Sequence, residues 1–156
     1  MSNRPLSPHY HVGIVVPDLA AARVDLSEQI GVAWGPILHL DVADYRDGSG
    51  RDLVLPTTMC YSLDAPHLEL IEEVPGSVWV CNEYSNLHHI GFWSDDLTAD
   101  SADLTGSGCP LLLSGRAGDH VPVSFAYHRN GLLVRIEIVD SAMREAMGFL
   151  FRVDES

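Results

Sequence analysis

Hydrophobic and polar positions alternate through Tyr10-His11-Val12-Gly13-Ile14-Val15-Val16, and again through Leu87-His88-His89-Ile90-Gly91-Phe92-Trp93-Ser94. A period of two marks strands with two different faces. Each run leads into an Asp-Leu pair, Asp18-Leu19 or Asp96-Leu97, and then an Ala/Leu-rich stretch. Aspartate at that point predicts a helix N-cap, so helices are expected to about 29 and about 106. Gly31 in the first copy, and Gly106 or Gly108 in the second, are the expected stops. After each helix the pattern returns to strands, at roughly 34–45, 56–63 and 67–73, then at roughly 110–114, 122–128 and 132–139. Asp47-Gly48-Ser49-Gly50 and Arg129-Asn130-Gly131 supply turn chemistry between strands.

The two halves repeat. His11-Val12-Gly13-Ile14 aligns with His89-Ile90-Gly91-Phe92 at an offset of 89 − 11 = 78 residues, and Asp25-Leu26 aligns with Asp103-Leu104. Self-similarity of this kind predicts two copies of one unit. The expected architecture is α+β in a single domain: a βαβββ module at 9–73, a second at 87–140, a connector at 74–86 and a tail at 141–156. Within the tail, Met143, Met147, Leu150 and Phe151 have the spacing of a short amphipathic helix. Trp79, in the connector, reads as an interface residue.

Strand periodicity assigns side chains to faces. Val12, Ile14 and Val16 share one face of the first strand, and Ile90 and Phe92 the equivalent face of its repeat; these should pack on helices. His11, Gly13 and Val15, with His89, Gly91 and Trp93, take the other face. Likewise His67, Glu69 and Ile71 oppose Leu68 and Leu70, and Arg135, Glu137 and Val139 oppose Val134, Ile136 and Ile138. Polar groups turned into a curved sheet are costly unless paired or bound. If the modules pair, His11, Glu69, His89 and Glu137 converge. Two imidazoles and two carboxylates suit a divalent first-row ion such as Zn, Ni, Co, Mn or Fe. Gly13 and Gly91 are expected to leave room for a ligand beside that ion.

The remaining candidates have plainer readings. His67, beside Glu69, is a candidate proton shuttle or substrate contact. His88 faces away from His89 and reads as structural or exposed. His120 lies in a loop that is a candidate cover for the cleft. Met59, Tyr61, Trp93, Phe125 and Tyr127 are the candidate substrate-binding lining, giving an apolar, aromatic cleft.

Composition narrows the partners. The 156 residues match one domain, and 46% hydrophobic content is enough for a core. The chain has 22 acidic residues against 9 arginines and no lysine, for a net charge of −13. That field argues against nucleic acid and anionic membranes as partners and favours cationic ligands. No apolar run is long enough to span a bilayer, and the first residues lack a signal-peptide core. A cytoplasmic location is the default expectation. Cys60, Cys81 and Cys109 are too widely spaced for a zinc knuckle or a disulfide framework. Cys60 and Cys109 sit in apolar runs and read as core.

The strand openings Tyr10-His11-Val12-Gly13-Ile14-Val15-Val16 and Leu87-His88-His89-Ile90-Gly91-Phe92 resemble the vicinal oxygen chelate superfamily. So do His67-Leu68-Glu69-Leu70-Ile71-Glu72 and Gly131-Leu132-Leu133-Val134-Arg135-Ile136-Glu137-Ile138. That superfamily holds glyoxalase I, methylmalonyl-CoA epimerase, extradiol dioxygenases and bleomycin-resistance proteins. The resemblance implies two paired βαβββ modules forming a curved mixed sheet around a metal cleft, with His11, Glu69, His89 and Glu137 as ligands. This set is similar to that of glyoxalase I, whereas methylmalonyl-CoA epimerases usually place Gln where Glu69 stands. It further implies a metal-dependent lyase or isomerase/epimerase acting on a small or medium carbonyl compound through an enediolate-like intermediate. Glu137, Glu69 and His67 are the catalytic candidates, and a homodimer is the expected assembly. Two alternatives remain open: a non-catalytic protein sequestering a cationic ligand, and an Fe(II)-dependent dioxygenase.

Overall fold

A computed structural model describes residues 6, 9–82, 84–132 and 134–152. Leu133, in the expected last strand, and residues 153–156 of the tail lie outside them. The first module contains β1 (His9–Val16), α1 (Leu19–Ile30), β2 (Leu38–Asp47), β3 (Asp52–Tyr61) and β4 (His67–Glu72). The second contains β5 (Leu87–Ser94), α2 (Leu97–Gly106), β6 (Leu111–Ala117), β7 (His120–His128) and β8 (Arg135–Asp140). Both helices begin where the sequence places them. Asp18 accepts from the Ala21 amide at 2.9 Å and Asp96 from the Ala99 amide at 3.0 Å, satisfying N–H groups that a helix start leaves free. Gly31 ends α1 at φ 71°, in the left-handed region that glycine occupies at little cost. α2 runs through Gly106 and is capped by Ser107, with Gly108 turning the chain at φ 90°.

The strands order as β1-β4-β3-β2-β6-β7-β8-β5 in one closed barrel. β1 runs parallel to β4, and β5 parallel to β8. The modules meet along two seams, both antiparallel: β1 on β5, and β2 on β6. The second seam, pairing Tyr45 with Gly115 and Asp47 with Leu113, closes the expected curved sheet into a barrel. Closure leaves no free edge and encloses the inner face.

β2 and β3 form a hairpin reaching further toward Asp47-Gly48-Ser49-Gly50 than the pattern predicts, and residues 34–37 stay out of the sheet apart from a bridge from Trp34 to Ser62. Gly35 explains the break. A Cβ there would lie 2.0 Å from the Leu150 carbonyl oxygen, so the tail crosses the backbone at this residue.

Helices cover the outer face as expected. Leu19 packs with Val16, Leu70 and Cys60 under α1, and Leu97 with Ala126 and Ile138 under α2. Cys60 is buried; Cys109 is half-exposed rather than core.

Two expectations are corrected. Trp79 is not an interface residue: it is 2% exposed and packs among Val15, Tyr45, Ile71, Leu113 and Tyr127. Its indole N–H donates to Tyr127 Oη at 3.1 Å, tying the connector to the barrel. Trp79→Ala is expected to cost about 3–5 kcal/mol, measured by equilibrium urea unfolding, because the cavity left cannot collapse around so large a side chain. The tail is not a continuous helix. It forms two 3-10 turns, Ser141–Met143 and Gly148–Phe151, since so short a segment has little helical stability of its own and follows the contacts of Met147, Leu150 and Phe151. Of the two readings of His88, structural or exposed, the first holds: it is 2% exposed, with the connector folded over it.

Candidate metal centre and cavity

Register brings the four expected ligands together. Across β1 and β4, Gly13 pairs with Glu69; across β1 and β5, Gly13 also faces His89. The second module repeats this: Gly91 pairs with Glu137 and faces His11. Each row across the barrel wall therefore reads Glu, Gly, His. A Cβ on Gly13 would sit 2.0 Å from Cε1 of His89, and one on Gly91 would sit 1.9 Å from Cε1 of His11. The glycines do not leave space for a ligand, as the sequence suggested. They make room for the histidine of the opposite module to lie across the strand toward its glutamate.

The result is a cluster around one point. His11 Nε2 lies 2.8 Å from Glu69 Oε2, 2.7 Å from Glu137 Oε2 and 2.8 Å from His89 Nε2. His89 Nε2 lies 3.0 Å from Glu69 Oε2 and 3.1 Å from Glu137 Oε2. All four side chains are buried.

This donor set fits a divalent first-row ion on the structure's own terms. A single N–H on each ring cannot serve so many neighbours at once, and Glu137 Oε2 has no hydrogen bond of good geometry. Two buried carboxylates carry charge that a divalent ion offsets while both imidazoles stay neutral. Without an ion, the groups compensate one another. Burial disfavours a charged His11, but Glu69 and Glu137 outweigh it and raise its pKa to about 9. His89 is likewise raised, burial again opposing Glu137 and Glu69. Against the cost of burial, the two histidines hold Glu137 and Glu69 below the ordinary carboxylate range.

The carboxylates open onto an interior cavity of about 280 Å³. Of the expected lining residues, Met59, Tyr61, Phe125 and Tyr127 form its wall together with Glu69 and Glu137. Burial and the nearby carboxylates push the Tyr61 and Tyr127 phenols well above 10, so both remain protonated. Trp93 stands outside this wall, stacked on Tyr10 at 4.0 Å beside an outer recess. His67 lines the same recess. Its Nδ1 donates to the Ser62 carbonyl at 2.6 Å and its ring stacks on Phe151 at 4.2 Å, so the tail separates it from the cavity. His120 is exposed at the start of β7 and is not part of the cavity wall.

Several wall residues were not read from the sequence as cavity lining. Trp79 reaches the cavity from the connector, and Met143, Met147 and Leu150 from the tail. Arg116 is the one basic side chain in the wall among the described residues, and it pairs with Asp44 at 3.2 Å. His88 is the other. Its Nδ1 lies 2.8 Å from Nδ1 of His89, and burial, with His89 and Arg135 adding to it, lowers its pKa to about 3.

Comparison with known proteins agrees with this architecture. Residues 10–127 match the family model described as the glyoxalase/bleomycin resistance protein/dioxygenase superfamily. No curated protein matches the chain. Among solved structures, a variant of the Streptomyces coelicolor methylmalonyl-CoA epimerase in complex with 2-nitronate-propionyl-CoA is 23% identical, with a TM-score of 0.62 over 88% of this chain and 96% of that one. The methylmalonyl-CoA epimerase of Mycobacterium tuberculosis is 17% identical, with a TM-score of 0.62 over 94% and 95%. A hypothetical protein of Bacillus halodurans C-125 is 12% identical, with a TM-score of 0.59 over 85% and 93%. At these identities the likeness is one of fold.

Proposed function

Because the chain belongs to the glyoxalase/bleomycin resistance protein/dioxygenase superfamily, we propose that it is a metal-dependent isomerase or epimerase acting on a carbonyl compound, with the related lyase chemistry as the nearest variant. The observation that carries this reading is the convergence of His11, Glu69, His89 and Glu137 at the wall of an apolar cavity. These four residues would hold the ion. When bound, a divalent ion supplies Lewis acidity toward a carbonyl or two vicinal oxygens.

The chain's own groups do the rest. Glu137, whose carboxylate lines the cavity wall beside that of Glu69, is the candidate base. Its carboxylate takes the proton from the carbon next to the carbonyl and returns it to either face or to the neighbouring atom. Positioned bases of this kind contribute about 10²–10⁴-fold. Met59, Phe125, Tyr61 and Tyr127 hold the apolar part of the substrate and exclude water, which strengthens every charge interaction at the site. A cavity of about 280 Å³ suits the acyl or keto portion of a substrate. Methylmalonyl-CoA epimerases share the fold, so 2-branched acyl thioesters are the first substrates to try, followed by 2-hydroxy carbonyl compounds.

Two measurements test this. Elemental analysis of untagged protein should find about one first-row ion per chain, and none in His11→Ala/Glu137→Ala. The ion-loaded protein should then exchange the α-proton of at least one such substrate with solvent deuterium, followed by NMR. Ion binding without exchange across the panel would overturn the catalytic reading. The apolar, aromatic cavity in a chain of net charge −13 would then point to sequestration of a cationic ligand.

A further inference from the structure

The two histidines of the quartet are related by the repeat, but their surroundings differ. His89 Nδ1 meets His88 Nδ1 at 2.8 Å, and His88 Nε2 meets the Val78 carbonyl at 2.8 Å. A carbonyl only accepts, so His88 Nε2 carries the hydrogen. In a buried, neutral imidazole the other nitrogen is then a lone pair, and His88 Nδ1 must accept from His89 Nδ1–H. That leaves a lone pair on His89 Nε2, the atom facing His11, Glu69 and Glu137. A backbone carbonyl in the connector thus sets, through two hydrogen bonds, which nitrogen of His89 is free to bind.

His11 has no such support. Its Nδ1 is buried without a hydrogen-bond partner. The repeat places Tyr10 where the second module has His88, since 88 − 10 = 78, and the Tyr10 ring stacks on Trp93 instead.

We propose that His88 is a positioning residue that fixes the tautomer and ring orientation of His89, making His89 the anchored ligand of the centre and His11 the adjustable one. This rests on the reading that the quartet holds a divalent ion. Outer partners of metal-ligating histidines typically account for 10–100-fold in affinity.

The test uses the full chain and zinc. In the zinc-loaded wild type, ¹⁵N NMR should show His89 bound through Nε2 with a slowly exchanging proton on Nδ1. His88→Leu removes the acceptor, and zinc affinity by chelator competition should fall about 10–100-fold, with the Nδ1 proton lost to fast exchange. His88→Asn keeps an acceptor near the Nδ1 position and should recover affinity to within about threefold and restore slow exchange. Circular dichroism of each variant establishes that it is folded. A folded His88→Leu with wild-type affinity would overturn this role and leave the quartet standing, as would zinc on Nδ1 of His89 in the wild type. Failure of the wild type to bind zinc or any other first-row ion would instead overturn the metal reading itself, and this role with it.

Discussion

Gly13→Ala and Gly91→Ala, each the addition of one methyl group, are expected to lose the bound ion and to lower turnover by about two orders of magnitude or more. The added Cβ would lie 2.0 Å from the His89 ring in the first variant and 1.9 Å from the His11 ring in the second. Neither clash is relieved cheaply. Both histidines are fully buried, and His89 is further held by His88 and by Glu69. The ring has to leave its place between the glutamate and the opposite histidine, which removes one ligand of four. A displacement of about 1 Å at a catalytic centre costs on the order of 100-fold. The fold itself should survive, because overpacking costs about 1–3 kcal/mol and the rest of β1 and β5 is unchanged. The check is metal content together with thermal unfolding of the metal-free protein. Retention of a full equivalent of metal by either variant would show that the rings do not cross the glycines as described.

How far the sequence carried this site depends on which contacts a period of two can see. It separates the two faces of a strand, so His11, Glu69, His89 and Glu137 were identifiable as inward-facing, and the repeat at 78 residues put them in two matched pairs. Aspartate caps and glycine stops located α1 and α2 for the same reason: the signal is local. Partners across a seam are not local. Nothing in the order of residues says that Gly13 faces His89 rather than open space, since that follows from the antiparallel register of β1 on β5. His88 shows the other limit. Periodicity assigned it away from His89, and only the path of the connector, bringing the Val78 carbonyl to 2.8 Å, makes that position buried and useful. The tail is a third case. His67 shares its face with Glu69, but Phe151 covers it and removes it from the cavity.

The affinity of the centre for a divalent ion is expected to rise steeply with pH, by about tenfold per unit for each proton displaced, up to about pH 9. The sign follows from the metal-free state. Despite the penalty of burial, Glu69 and Glu137 raise His11 to about 9 and also raise His89. Near neutral pH, His11 is therefore protonated where an ion needs its lone pair, so binding expels that proton, and a second where His89 is protonated too. Stability shows the same linkage. A histidine raised in the fold stabilises the metal-free protein below the unfolded value of about 6.5, and this contribution is lost as pH rises through about 9. The lowered carboxylates act in the opposite sense: their contribution is present above their unfolded values and is lost as pH falls below them. The metal-free protein should thus lose stability between about pH 6.5 and 9, while the ion-loaded protein should not. The gap between their unfolding temperatures should widen over that interval. Calorimetric titration in two buffers of different ionisation enthalpy counts the protons released at pH 7, with one to two per ion expected. Zero would mean that both imidazoles are already neutral and both carboxylates already ionised in the metal-free chain, so that no proton held by the four ligands has to leave when the ion binds.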